Sequence, residues 1–181
     1  MKVESFHIEG PLLFTPNVFG DSRGHFFESY SKEFFSKHGV ENDFVQDNQS
    51  LSNKGTLRGL HFQAPPFDQG KLVRVSRGTV IDIIVDIRKS SPTYGQNVAI
   101  ELSESNFKLF WVPPGFAHGF SVLEDNTVFQ YKCTNYYNKP SEGGVFYNDP
   151  ELKLNWQINE PIVSEKDLIL PHFSNLVSPF K

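Results

Sequence analysis

The sequence predicts an all-β domain built from many short strands, arranged as a sandwich or barrel. Short apolar runs alternate with turn sequences along the chain, among them SNKG, SSPTYG, PPG and NKPSEGG, and such punctuation is typical of short antiparallel strands. Aromatic residues make up 14% of the 181 residues, and eighteen residues are Phe. Bulky flat side chains at this density favour sheets, which give them broad surfaces to pack on.

Two segments show the alternation of side chains that strands require. The stretch 71–87, predicted as one strand, places Asp82 and Asp86 on the same face of its second half. That face either lines a polar cavity or meets solvent, and the sequence leaves both open. In TVFQYKCTNYY, residues 127–137, Tyr131 and Tyr137 share one side of the strand if no bulge intervenes.

Helical segments are few. YSKEFFSKHG, residues 30–39, predicts one helix with Ser31 as its N-cap and Gly39 at its end. The sequence SEKD, residues 164–167, is similar to a capping box, in which Ser164 starts a short helix that has Asp167 in its first turn. From the residues alone, a structural capping role is favoured for this segment.

Composition narrows the classes of partner and compartment. The formal net charge is −4 and no cluster of Lys and Arg occurs, so nothing indicates nucleic-acid binding. Cys133 is the only cysteine, which excludes an intramolecular disulfide and favours a reducing compartment. The N-terminal segment lacks the apolar core of a signal peptide, and no apolar run approaches the roughly 20 residues that cross a bilayer. We therefore expect one cytoplasmic domain, residues 1–181, with no membrane partner.

A metal site is one possible use of the histidines. Metal-binding barrels of the cupin type usually carry a His-x-His pair with a nearby Glu, and a further His after a Pro-x-Gly turn. The second part of this motif is present, because PPGFAHGF places His118 after a Pro-x-Gly turn. The first part is incomplete, because Gln63 stands where the second histidine of a His-x-His pair beginning at His61 would be. A metal needs three or four converging ligands. Only two are present, so we expect no metal site.

His61, in the segment LRGLHFQ, is a candidate general base because an unperturbed imidazole has a pKa of about 6.5. A carboxylate on its other ring nitrogen would fix its tautomer, but spacing alone does not choose among the acids of the chain. Ordinary structural interpretations also exist. His61 could pack in the core, and Arg23 could be a turn cation paired with Asp21. Lys71 could lie exposed at a strand start, and Tyr131 could be an ordinary sheet aromatic.

Taken together, the motifs resemble those of one family. In chain order they are FGDSRGHFFES, FVQDNQS, LRGLHFQ, QGKLVR, DIRKSSPTYGQ, PPGFAHGF, YKCTNYY, SEGG, NDP and SEKD. This set is similar in kind and order to the motifs of the dTDP-4-dehydrorhamnose 3,5-epimerase family, from about Phe19 to Asp167. Several of the motifs are long and unusual, so chance is a poor explanation.

The resemblance implies a cupin-like jelly roll (a double-stranded β-helix) with a few short helices, a core spanning roughly 45–150, and terminal extensions packed on it. It also implies a homodimer, a dTDP-sugar substrate, and no metal or organic cofactor. In this family the reaction inverts C3 and C5 of dTDP-4-dehydro-6-deoxy-α-D-glucose. By resemblance, the catalytic residues are the base His61, its orienting carboxylate Asp167, the general acid Tyr131 and the carbonyl-binding cation Lys71.

Further motif positions of the family fall on residues that contact the substrate. By resemblance, Tyr137 stacks on the thymine ring. The other nucleotide- and sugar-contacting positions are Arg23, Glu28, Gln46, Asn48, Arg58, His118, Glu142 and Lys166. Two alternatives stay open. One is a 3-epimerase on the same scaffold, which inverts C3 only, and the other is a non-catalytic nucleotide-sugar binding module.

Overall fold

Thirteen strands carry most of the regular structure in a computed structural model that describes residues 1–181. They are β1 (Lys2–Ser5), β2 (Leu12–Thr15), β3 (Phe19–Asp21), β4 (Gly24–Phe26), β5 (Gln46–Ser52), β6 (Leu57–Gln63), β7 (Lys71–Arg77), β8 (Thr79–Asp86), β9 (Asn97–Ser103), β10 (Leu109–Val112), β11 (Phe116–Val122), β12 (Thr127–Cys133) and β13 (Glu142–Gly144). The helices are α1 (Lys32–Lys37), α2 (Glu165–Leu168) and two 3-10 turns, Lys139–Ser141 and Phe173–Asn175. The prediction of an all-β chain with a few short helices is confirmed.

The strands form two large antiparallel sheets that pack face to face. One sheet has the order β1-β2-β10-β7-β12-β5 and the other the order β13-β6-β11-β8-β9, while β3 and β4 form a separate hairpin. From β5 to β8, and again from β10 to β13, successive strands alternate between the two sheets, as they do in a jelly roll. Val73 and Phe110 of the first sheet meet Ile84 and Phe120 of the second in the core between them.

Segments near the two ends of the chain cover the outer faces of the sheets. On the six-stranded sheet, Phe35 of α1 packs with Phe14 and Trp111. On the five-stranded sheet, residues after β13, among them Leu152 and Trp156, form a second buried cluster. β1 and β2 extend the edge of the six-stranded sheet by hydrogen bonding to β10. Each of the two sheets is therefore packed against apolar residues on both of its faces.

The predicted first helix is confirmed. Ser31 Oγ accepts a hydrogen bond from the backbone N–H of Phe34 at 3.4 Å, so Ser31 is the N-cap. Gly39 follows the last cap residue, His38, with φ of 87°, a conformation that costs glycine little because it has no Cβ. No helix of the structure is long and apolar enough to cross a membrane.

The stretch 71–87 forms two strands, and the prediction of a single strand is wrong. β7 ends at Arg77 and β8 begins at Thr79, and the two belong to different sheets. The chain changes sheet at Gly78, where φ is 79° and an added Cβ would lie 2.2 Å from Thr127 Oγ1. The side-chain pattern continues across one glycine without a visible break, so alternation alone did not reveal the turn.

Asp82 and Asp86 of β8 are both fully buried, so the solvent-facing alternative is wrong. Asp86 accepts hydrogen bonds from Arg88 Nε at 2.9 Å, Ser91 Oγ at 2.6 Å and Thr93 Oγ1 at 2.7 Å. Burial raises the pKa of the Asp86 carboxyl, but these hydrogen bonds outweigh it and lower the pKa to about 2. Asp86 therefore holds the loop after β8, whereas Asp82 serves the cavity described next.

Candidate active site

A cavity of about 570 Å³ opens between the two sheets. Seven of the thirteen predicted site residues line it: Arg58, His61, Lys71, His118, Tyr131, Lys166 and Asp167. An adjoining pocket of about 300 Å³ shares His61, Lys71 and Tyr131 with it. That pocket adds four more of the predicted residues: Gln46, Asn48, Tyr137 and Glu142. Strands from both sheets and the segment that carries α2 thus bring eleven predicted residues to one place.

His61 and Asp167 form a hydrogen-bonded pair on the cavity wall. His61 lies on β6, and its Nε2 is 2.7 Å from Asp167 Oδ1. Because an ionised carboxylate can only accept, Nε2 carries the proton and Nδ1 is left with its lone pair. The backbone N–H of Gly59 donates to Asp167 Oδ2 at 3.3 Å. Burial raises the pKa of Asp167, but the bonds from His61 and Gly59 outweigh it and lower that pKa.

The segment SEKD holds Asp167 in place. Ser164 is the N-cap of α2, and its Oγ accepts from the backbone N–H of Asp167 at 3.2 Å. The predicted capping role is therefore confirmed. The Asp167 side chain points to His61, and the residue is only 3% exposed. The cap fixes the backbone of Asp167, and its carboxylate is then free to pair with the imidazole.

His118 of β11 lies directly opposite His61 in the pairing of β11 with β6. Its Nε2 is 3.0 and 2.9 Å from the two carboxylate oxygens of Asp82. Asp82 was not among the predicted site residues, although the acidic face of β8 was the signal for it. The two strands approach closely at Gly59, where an added Cβ would lie 2.6 Å from Gly119 Cα. The cavity therefore contains two His–Asp pairs side by side.

Tyr131 stands on the six-stranded sheet, across the cavity from β6. Its side chain is partly buried, packs near Phe129, and has no hydrogen-bond partner within the protein. Burial raises the pKa of the Tyr131 hydroxyl, and the nearby Arg58 cation opposes that only in part. The hydroxyl therefore stays protonated at neutral pH and is able to donate a proton.

Lys71 begins β7 and lies opposite Cys133 of β12, two residues along that strand from Tyr131. No carboxylate lies within 4 Å of its ammonium, so it forms no ion pair. Burial lowers the pKa of Lys71, and the charges of Cys133, Asp82 and Glu142 partly offset that effect. An unpaired, desolvated ammonium in a cavity is well suited to bind an oxygen atom that gains negative charge.

The adjoining pocket has its own network of polar contacts. The backbone N–H of Tyr137 donates to Gln46 Oε1 at 3.1 Å, and Gln46 Nε2 donates to Asn48 Oδ1 at 3.0 Å. The Tyr137 hydroxyl donates to Glu142 Oε2 at 3.1 Å. Lys166 Nζ donates to the other oxygen of Glu142. Burial raises the pKa of Glu142, but the bonds from Lys166 and Tyr137 lower it below its ordinary value.

Arg23 and Glu28 do not join the other predicted residues within this chain. Arg23 lies at the turn between β3 and β4, where its guanidinium donates to both carboxylate oxygens of Asp21. Its side chain is 88% exposed. Glu28 is exposed beyond β4 and lines neither pocket. Neither residue lines the cavity of its own chain, so their contact with substrate stays a prediction.

Metal ligands do not cluster in the structure. Across residues 1–181, no group of three or more His, Cys, Asp or Glu side chains is placed to hold a metal ion. Within the cavity, the Nε2 atoms of His61 and His118 are each bonded to a carboxylate.

The chain is similar to known proteins over most of its length. A family model described as dTDP-4-dehydrorhamnose 3,5-epimerase matches residues 5–175. A dTDP-4-dehydrorhamnose 3,5-epimerase from Shigella flexneri is 48% identical over 169 residues, which are 93% of each chain. The crystal structure of dTDP-6-deoxy-D-glucose-3,5-epimerase from Legionella pneumophila, in complex with dTDP-4-keto-L-rhamnose, superposes with a TM-score of 0.93 at 43% identity. That match covers 97% of this chain and 94% of the other.

A more distant structure has a narrower activity. It is a 3'-monoepimerase from Streptomyces bikiniensis in complex with dTDP-quinovose, with a TM-score of 0.88 and 29% identity. The match covers 93% of this chain and 86% of that one. The cupin-like jelly roll shared by these epimerases confirms the predicted fold. By the family model and by close identity over most of its length, the chain belongs to the dTDP-4-dehydrorhamnose 3,5-epimerase family.

Proposed function

We propose that this protein converts dTDP-4-dehydro-6-deoxy-α-D-glucose into dTDP-4-dehydro-β-L-rhamnose by inverting C3 and C5 of the sugar. The observation that carries the proposal is the convergence of the His61–Asp167 pair, Tyr131 and Lys71 on one cavity. A non-catalytic binding module has no need of a buried carboxylate that orients an imidazole. The family match makes the protein an isomerase of nucleotide sugars.

Proton removal is the first step. The C4 carbonyl of the substrate acidifies the hydrogens on C3 and C5, the two carbons beside it. His61 is the base, and because Nε2 is bonded to Asp167, the atom that receives the proton is Nδ1. The imidazolium that forms then lies beside the Asp167 carboxylate, whose lowered pKa keeps it ionised.

The electrons left by the proton move onto the C4 oxygen as an enolate. Lys71 is the cation placed to stabilise that oxygen, since its ammonium lies in the cavity without an ion-pair partner. One well-placed donor to a developing oxyanion contributes about 3–4 kcal/mol to the transition state. Reprotonation of the carbon re-forms the C4 carbonyl, so that the same sequence can act at the second carbon.

Inversion requires the new proton to arrive from the opposite face of the sugar ring. Tyr131 lies on the facing sheet, and its raised pKa keeps its hydroxyl protonated at neutral pH. It donates a proton to the carbon while His61 holds the one removed. Both groups are regenerated by exchange with water, so one base and one acid serve both carbons.

The adjoining pocket and the cations around the cavity bind the nucleotide. Tyr137 offers an aromatic face for the thymine, and Arg58 and Lys166 suit the diphosphate because arginine and lysine donate charge-assisted hydrogen bonds to phosphate oxygens. The other residues proposed to contact substrate are Gln46, Asn48, His118 and Glu142. The dTDP-sugar in the related Legionella pneumophila structure supports this class of ligand.

We propose that the protein needs no metal and no organic cofactor. The proton transfers require only His61, Tyr131 and Lys71, and in both His–Asp pairs the Nε2 atom donates its hydrogen to a carboxylate, so it offers no lone pair to a metal. Activity that survives dialysis against a strong chelator would support this. Activity that is lost with the chelator and returns with one divalent metal would identify a metal-dependent cupin instead.

We further propose a homodimer. Arg23 stands outside the cavity of its own chain, on a hairpin whose Phe19 and Phe26 are 66% and 71% exposed. β5, at the open edge of the six-stranded sheet, carries Leu51, which is 62% exposed. A second copy of the chain would cover these apolar side chains. In such a dimer, Arg23 and Glu28 of one protomer would lie near the cavity of the other. Light scattering at micromolar concentration tests this, and a monomeric mass would refute it.

A cytoplasmic location is proposed from the single cysteine. Cys133 is free and buried, and a chain without disulfides suits a reducing compartment. Cell fractionation followed by immunodetection tests this, and recovery of the protein in an extracytoplasmic fraction would contradict it.

The deciding experiment separates the 3,5-epimerase from a 3-epimerase, the activity named for the more distant 3'-monoepimerase structure. The protein is incubated with dTDP-4-dehydro-6-deoxy-D-glucose in deuterated water, and the sugar is followed by proton NMR. We expect loss of signal at both C3 and C5, with the L-configured product trapped by a reductase. Exchange at C3 alone would identify a 3-epimerase. No exchange at either carbon would refute catalysis on this substrate.

A further inference from the structure

Gln63 is a buried polar side chain on β6, two residues after His61, and the reaction described above makes no use of it. It is 5% exposed, yet its side-chain amide has every group satisfied. Its Nε2 donates to the carbonyl oxygens of Phe67 at 2.6 Å and Tyr136 at 3.2 Å. Its Oε1 accepts from the backbone N–H of Asn138 at 2.7 Å.

Two of these three bonds bracket Tyr137. Tyr136 and Asn138 are its neighbours in the chain, so one amide pairs with the carbonyl before Tyr137 and with the N–H after it. The N–H of Tyr137 itself donates to Gln46. The backbone around Tyr137 is therefore pinned on both sides, although the Tyr137 residue is 55% exposed.

Hydrogen bonds, and not regular secondary structure, hold the segment that carries Tyr137. Residues 134–138 lie between β12 and the 3-10 turn and form no strand or helix. Burial of apolar area cannot fix an exposed ring in one orientation, whereas hydrogen bonds to its flanking peptides can. The third bond, to Phe67, ties the loop 64–70 to the same amide.

We propose that Gln63 is a positioning residue for nucleotide binding, which holds the Tyr137 loop so that the ring is already oriented to stack on the thymine base. This inference rests on the proposed function, because it presumes a dTDP ligand. An amide is required at this position: the side chain must donate on one edge and accept on the other. Neither a carboxylate nor an apolar side chain can do both.

The test is isothermal titration calorimetry of the full chain with dTDP. Gln63→Met keeps the side-chain volume but removes all three hydrogen bonds, and Gln63→Glu keeps the acceptor but removes both donors. We expect both variants to bind dTDP about tenfold more weakly, the effect of one net hydrogen bond. Inorganic pyrophosphate, which lacks the base, should bind as it does to the wild type. In turnover the loss should fall on KM more than on kcat.

A double-mutant cycle distinguishes positioning of Tyr137 from a general structural role. Tyr137→Ala should weaken dTDP binding by itself, and adding Gln63→Met to it should weaken binding no further, because the ring that Gln63 positions is gone. Gln96→Met, at a turn where the Gln96 side chain forms no hydrogen bond within the protein, is the matched control. Additive losses, or equal weakening of pyrophosphate binding, would overturn the inference.

The outcomes also separate this inference from the proposed function. A wild-type protein that binds no dTDP would refute the proposed ligand itself. A wild type that binds dTDP, with Gln63→Met and Gln63→Glu as tight as Gln96→Met, would leave the proposed function intact and refute the role of Gln63. If one Gln63 variant does not fold, as judged by its circular dichroism, the other carries the comparison.

Discussion

Replacing Asp167 by Asn should nearly abolish turnover while leaving the nucleotide bound. The carboxylate accepts from His61 at 2.7 Å and is almost fully buried. A hydrogen bond to a charged group contributes about 1.5–3 kcal/mol, so loss of the charge alone lowers kcat by about 10- to 150-fold. The amide of Asn can also donate to Nε2, which would move the imidazole proton to Nδ1 and block the base. The corresponding change in a Ser–His–Asp triad lowers kcat by about 10⁴.

We therefore expect kcat of Asp167→Asn to fall by about 10³, between those two limits. The assay is the initial rate of C3 and C5 exchange by proton NMR, with dTDP affinity measured by calorimetry on the same preparation. Asp149→Asn is the matched control. Asp149 is also buried and accepts from His172 Nδ1 at 2.9 Å, but it lies outside the cavity. A kcat near wild type, or a loss no greater than that of Asp149→Asn, would refute the role of Asp167.

Three further predictions concern single side chains. Tyr131→Phe should bind dTDP normally but form no inverted product, and unchanged kinetics would exclude Tyr131 as the acid. Because burial lowers the pKa of Lys71, we expect kcat to fall as pH rises through a value below 10.5, the ordinary pKa of lysine. Lys71→Arg, which stays charged, should lose that limb of the pH profile, and an unchanged limb would contradict the assignment. The pKa of Asp86, about 2 against an ordinary 3.8, means that its ionised form stabilises the fold above pH 4. Up to about 2 kcal/mol of the free energy of unfolding should be lost as pH falls from 4 to 2. Urea unfolding at several pH values measures this loss. If the stability of Asp86→Asn depended on pH as strongly as that of the wild type, the prediction would be wrong.

Local features of the fold were predictable because their causes lie within a few residues. The N-caps Ser31 and Ser164 each act on a backbone N–H three residues later, a relation that spacing encodes directly. The break at Gly78 was missed for the converse reason. The close contact of Gly78 with Thr127 is with a residue distant in sequence, and the local signal, the turn sequence SRG at 76–78, was outweighed by the alternation on either side of it.

The motifs indicated which side chains converge on the cavity, but they did not indicate which side chains contact one another. His61 and Asp167 are 106 residues apart, and no spacing rule selects one carboxylate among many over that distance. The choice of Asp167 came from family resemblance alone. Asp82 was missed as a site residue because its role depends on His118 lying opposite His61 across two strands. The resemblance also grouped Arg23 with the cavity, although a single chain does not bring it there.

The geometry of β6 relates the two proposed roles of the motif LRGLHFQ, in which His61 acts on the sugar and Gln63 holds the loop that meets the nucleotide base. Leu60 and Phe62 pack into the outer cluster, so alternation turns His61 and Gln63 to the inner face. Residues i and i+2 of a strand are about 7 Å apart, which sets the spacing between the base and the amide that holds the Tyr137 loop. A slip of one residue in the register of β6 would send both side chains outward together. If the proposed function holds, one strand carries both the base and the amide that holds the Tyr137 loop, and the pairing of β6 with β11 and β13 fixes their relative position.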